Sequence, residues 1–77
     1  MSNVTVSVRL VDGGLQEWQE GPDLLVRLQN LRRRGLEGKQ LIHELLTDDW
    51  AAPPRVVIIS GVAPDGQRLE DILIPYV

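Results

Sequence analysis

The sequence predicts an α+β domain: an antiparallel sheet of three to four strands with two short helices packed on one face, in the order β(β)ααββ. Three observations carry this. Val4, Val6, Val8 and Leu10 alternate with Thr5, Ser7 and Arg9, the period of a half-buried strand. Leu24, Leu28 and Leu31 recur at helical spacing, and a second apolar group follows at Leu41, Ile42, Leu45 and Leu46. Two apolar runs, Val56-Val57-Ile58-Ile59 and Ile72-Leu73-Ile74, then flank Ala63-Pro64-Asp65-Gly66. Residues 1–77 make one domain, near the lower size limit for a self-sufficient core.

The first strand is closed by the turn signal Asp12-Gly13-Gly14. Leu15 to Gln19, carrying Trp18, reads either as a short return strand or as an irregular link, because Gln16, Glu17 and Gln19 give little burial signal. Pro22 suits the first helical position, and Asp23 suits the positive end of the helix dipole. Gly35 then fits the left-handed position that ends a helix, with Leu36 placed to fold back on Leu31. Gly38 to Thr47 is the second helix, and the short Gly35–Gly38 connection makes the pair an αα-hairpin. Pro53 and Pro54 argue against helix and against a central strand where the chain crosses to the last two strands.

Pro64, Asp65 and Gly66 have the chemistry of a type I turn with a glycine bulge. Pairing outward from Ala63 and Gln67 sets Ile58 opposite Ile72, Val57 opposite Leu73 and Val56 opposite Ile74. The hairpin from Arg55 to Tyr76 is expected to be the piece on which everything else packs. Both of its strands are apolar at consecutive positions, so both faces need cover. Two short helices cover one face of such a sheet and leave the other for a partner.

Cysteine is absent, which excludes disulfides and thiolate metal sites. No apolar stretch reaches the roughly 18 residues of a membrane span and no signal-peptide pattern opens the chain, so the expected location is cytoplasmic, without membrane contact. The net charge of −3 weighs against nucleic acid as a partner. Charge is unevenly placed, however: Arg27, Arg32, Arg33, Arg34 and Lys39 form a basic stretch, and Glu44, Asp48 and Asp49 an acidic one.

No set of side chains has the spacing of a catalytic or metal centre. His43 lies beyond the apolar arc of its helix, on the side of Lys39 and Thr47, with no nucleophile beside it in the sequence. His43, Glu44, Asp48 and Asp49 match no ligand pattern, and neither pair of glycines belongs to a phosphate-binding loop. Neither cofactor nor metal is expected.

The sequence therefore points to a non-enzymatic protein-protein interaction module, an accessory, adaptor or inhibitor protein that associates with itself as a homodimer and enters larger complexes. Val56, Ile58, Ile72, Ile74 and Tyr76 form the expected interface, with Trp18 and Trp50 as aromatic anchors. The competing expectation is a nucleic-acid-binding regulator that contacts phosphate through Arg27, Arg32, Arg33, Arg34 and Lys39. A hydrolase or metal enzyme built on His43 with Asp48 or Asp49 is the remaining alternative, against which the missing motif and the small size both count.

Overall fold

The computed structural model describes residues 4–46, 50–61 and 71–77. It contains β1 (Val4–Leu10), β2 (Leu15–Glu20), α1 (Asp23–Arg33), α2 (Gly38–Leu45), β3 (Pro54–Gly61) and β4 (Ile72–Pro75). The strands form one antiparallel sheet in the order β2-β1-β3-β4, and the α+β class and element order are those the sequence predicts. Leu15 to Glu20 is a strand, so the sheet has four strands.

The centre of the fold differs from expectation. The β3–β4 pair lies at one side, and β1 sits inside the sheet, paired with β2 on one flank and β3 on the other. The reason lies in burial: Val4, Val6, Val8 and Leu10 are all sealed in the core together with Val57 and Ile59. The β3–β4 register is also one residue from that expected, with Val57 opposite Ile74, Ile58 opposite Leu73 and Ile59 opposite Ile72. This register puts Val57 (0% exposed) and Ile74 (2%) together on the covered face. The shift matters because side chains alternate along a strand, so one residue decides which face each occupies. The expected turn at Ala63–Gly66 lies outside the described residues.

Pro54 is a second correction. It opens β3, an interior strand, opposite Leu10. A register shift beside it pairs Arg9 with Val56 and Leu10 with Pro54, leaving Arg55 as the extra residue. The first residue of a strand and a bulge are the two places where a sheet tolerates proline, and Pro54 has both. The chain is held there by Val11 N donating to Pro53 O at 2.9 Å.

Both helices pack on the face made by Val4, Val6, Val8, Val57, Ile59 and Ile74, through Leu24, Leu28, Leu31, Leu41, Ile42 and Leu45. Pro22 is the N-cap of α1, one position before its first helical residue. The α1 terminus is a full Schellman motif: Gly35 has φ +88°, Gly35 N donates to Arg32 O at 3.0 Å, and Leu36 N donates to Leu31 O at 3.1 Å. Arg32 is exposed, although its angular position lies within the leucine arc. α2 ends at Leu45, and Thr47 lies outside the described residues.

Gly38 opens α2 with φ +60°, and a Cβ there would collide with the Val77 carbonyl oxygen. That carbonyl accepts from Lys39 N at 3.1 Å. The segment after β4 is thereby fastened to the first turn of α2. Tyr76 N donates to Arg55 O at 3.1 Å on the other side.

Candidate interaction surfaces

Among the described residues, the helices cover one face of the sheet and no element covers the other. Register and alternation fix the open face row by row. One row runs Glu17, Ser7, Ile58 and Leu73 across β2, β1, β3 and β4. The next runs Leu15, Arg9, Val56 and Pro75. Leu73 is 61% exposed and Leu15 60%. The β3–β4 half is thus apolar, while the β1–β2 half, Leu15 aside, is polar, with Ser7 Oγ donating to Glu17 Oε2 at 2.7 Å. Arg9 has no hydrogen-bond or ion-pair partner among the described residues.

A second surface lies on the helix side. Trp18 and Glu20 of β2, Arg27 of α1, Glu44 and Leu45 of α2, and Trp50 line a groove of about 480 Å³. The groove exists because two short helices cannot span four strands, and the inner face of β2 extends past them. Arg27 holds the groove's end wall in place. Its Nη2 donates to Leu45 O at 2.8 Å and lies 3.4 Å from Glu44 O, satisfying carbonyls that the end of α2 leaves free. Trp18 Nε1 donates to Glu20 Oε1 at 2.9 Å, and Ala51 N donates to Gln16 Oε1 at 3.2 Å.

Trp50 separates this groove from a shallower recess of about 420 Å³ lined by His43, Ala52, Pro53, Pro54 and Tyr76. Three rings meet there. Tyr76 contacts His43 with centroids 5.4 Å apart and Trp50 at 6.1 Å, both edge to face, and His43 and Trp50 are 6.1 Å apart. The Tyr76 hydroxyl and His43 Nε2 share a hydrogen bond of 2.7 Å. Lys39 Nζ stands 5.4 Å from the Tyr76 ring centroid, a cation–π placement.

The structure divides the residues expected to form one interface. Val56 and Ile58 lie on the open face. Ile74 is buried in the core, and Ile72, Tyr76, Trp18 and Trp50 are half-buried against that core on the helix side. The one-residue register shift accounts for Ile72, Ile74 and Tyr76. Trp18 pairs with core residue Val6 and so shares its face. In place of Ile72 and Ile74, Leu73 and Pro75 face outward.

The expected basic cluster is also divided. Arg27 is engaged with the end of α2 and Lys39 with Tyr76, while Arg32, Arg33 and Arg34 are exposed at the end of α1. His43 is exposed yet part of the ring cluster. Its spacing on α2 shows which side it takes, but its contact with Tyr76 depends on where the chain runs after β4. Among the described residues no group of three or more His, Cys, Asp or Glu is placed to hold a metal ion, and no helix is long and apolar enough to cross a membrane. Comparison of the chain with protein-family models, with curated proteins and with solved structures finds no match.

Proposed function

We propose that this chain is a non-enzymatic protein-protein interaction module that pairs with a second copy of itself through the open face of the sheet. The supporting observation is the continuous apolar stripe Val56, Ile58, Leu73 and Pro75 on that face, flanked by charges of opposite sign at Arg9 and Glu17. Apolar side chains contiguous on an uncovered sheet are what a sheet-to-sheet contact buries.

The stripe is suited to a two-fold partner, in which each patch meets itself. An axis running across the strands, between the two rows, lays Val56 on Ile58 of the second copy and Pro75 on Leu73. It also brings Arg9 to within about one strand spacing, ~5 Å, of Glu17 of the second copy. Four strands of four to eight residues give a face of about 20 by 20 Å, below the roughly 800 Å² per partner of a standard interface. The expected dimer is therefore a moderate one, in the micromolar range.

Sedimentation velocity from low to high micromolar concentration tests this. The wild-type chain should shift from monomer to dimer. Ile58→Asp should remain a folded monomer, because it places a carboxylate at the centre of the contact. Arg9→Glu should weaken pairing, and adding Glu17→Arg should restore part of it. A wild-type monomer throughout, or a dimer unaffected by Ile58→Asp, would refute the proposal.

A further inference from the structure

We propose a separate docking site around Trp50, on the helix side of the sheet, for a proline-rich segment in polyproline II conformation with a basic residue at one end. The site goes beyond the pairing surface and shares no residue with it.

Polyproline II segments carry little conformational entropy to lose, and they are held by aromatic rings together with donors for their unpaired carbonyls. The surface at Trp50 supplies both. Tyr76 meets Trp50 and His43 edge to face, and the three rings form one patch, continued by Pro53 and Pro54. Trp50 is half-buried, and its indole N–H has no acceptor among the described residues. The Tyr76 hydroxyl has a second polar position left over after its bond to His43.

Charge selects the basic end. Glu20 and Glu44 line the groove on one side of Trp50. The cation beside them, Arg27, is turned to the carbonyls of Leu45 and Glu44, leaving Glu44 without an ion-pair partner among the described residues. Lys39 marks the opposite end of the patch, over Tyr76. A bound segment therefore lays its proline rings on Trp50 and Tyr76 and directs its basic residue to Glu20 and Glu44, away from Lys39. His43 and Glu44, adjacent on α2, serve the two recesses on either side of Trp50.

The test uses the 15N-labelled chain, whose two indole N–H resonances belong to Trp18 and Trp50. The probes are the capped peptides Pro-Pro-Leu-Pro-Pro-Arg-Arg and Arg-Arg-Pro-Pro-Leu-Pro-Pro, the same sequences with Glu for Arg, and versions with Ala for every proline. At least one arginine peptide should move the Trp50 resonance saturably below about 1 mM, the range of weak specific recognition. Its Glu and Ala versions should bind at least about tenfold more weakly. Trp50→Ala, followed through the backbone amide resonances of His43 and Tyr76, should lose about tenfold or more, as an aromatic anchor does. Glu44→Lys is an exposed substitution that tests the site even if Trp50→Ala fails to fold, and it should cost about fivefold for the arginine peptide alone.

Ile58→Asp should bind the peptide as wild type does, so loss of self-pairing and loss of peptide binding are read separately. No Trp50 shift with either arginine peptide, equal binding of the Glu versions, or an unaffected Glu44→Lys would overturn the proposal. So would a Trp50 shift that follows protein concentration without peptide, which would assign the site to a second copy.

Discussion

Replacing Gly38 by alanine tests how the last strand is fastened to the helices. Two separate costs arise. Gly38 has φ +60°, and an L-residue held in that region loses about 1–2 kcal/mol relative to glycine. The new methyl group would also strike the Val77 carbonyl oxygen, so the bond from Lys39 N must be given up, at about 1 kcal/mol. Alanine restricts the unfolded chain and returns about 0.4–1 kcal/mol. The net loss is about 2 kcal/mol, which in a domain this small lowers Tm by about 8–16 °C.

Gly35→Ala is the matched control. Gly35 has φ +88° but, its chain neighbours aside, no atom within 4 Å of where a Cβ would stand, so only the conformational cost applies. Its loss should be about half that of Gly38→Ala, roughly 1 kcal/mol. Urea melts followed by far-UV circular dichroism would rank the two. Gly38→Ala should also change tryptophan emission below its melting range, because releasing Val77 loosens Tyr76 from Trp50 and His43. Equal losses, or a greater loss in Gly35→Ala, would refute the coupling between α2 and the segment after β4.

Other consequences can be measured in the same way. Ile74→Ala should cost about 3 kcal/mol as a core truncation, whereas Leu73→Ala, one residue away on the open face, should cost under about 1 kcal/mol in the monomer. A reversed order would restore the register expected from the turn sequence. Arg27→Ala should destabilise by about 1 kcal/mol through the unsatisfied end of α2, with the loss seen in denaturant midpoint. Tyr76→Phe should lose about 0.5–1 kcal/mol, and a melt identical to wild type would show that the bond to His43 contributes nothing net.

Much of the fold is legible in local pattern. The alternation of Val4 to Leu10 specifies a half-buried strand, and the leucines of α1 together with Gly35 and Leu36 specify both a helix and the manner of its ending. These signals lie within a few residues of what they control. The placement of β1 inside the sheet is not local, because it depends on β1 and β3 finding each other across 44 to 57 positions. The face assignment of β3 and β4 fails for a related reason. Val56 to Ile59 and Ile72 to Ile74 are apolar at every position, so no alternation reports which side chains turn inward, and a one-residue register difference exchanges them. The grouping of Trp50 with Tyr76 and His43 joins three separate segments and leaves no trace in spacing. Pro54 misleads because the rule against proline in a central strand is relaxed at a strand's first residue and at a bulge.

The two rims of the sheet bear on how far assembly can go. On one rim, β2 carries the carboxylates of Glu17 and Glu20, which repel an incoming like strand. On the other rim, β4 is only four residues long and contains Pro75. Tyr76 sends its N–H inward to Arg55, so by alternation the nitrogen of Pro75 points outward, where it has no hydrogen to offer. Among the described residues, neither rim is a template for adding strands. If two copies stack face to face as proposed, neither of these rims offers an edge for a further strand, so that association would close on itself instead of growing into a fibre.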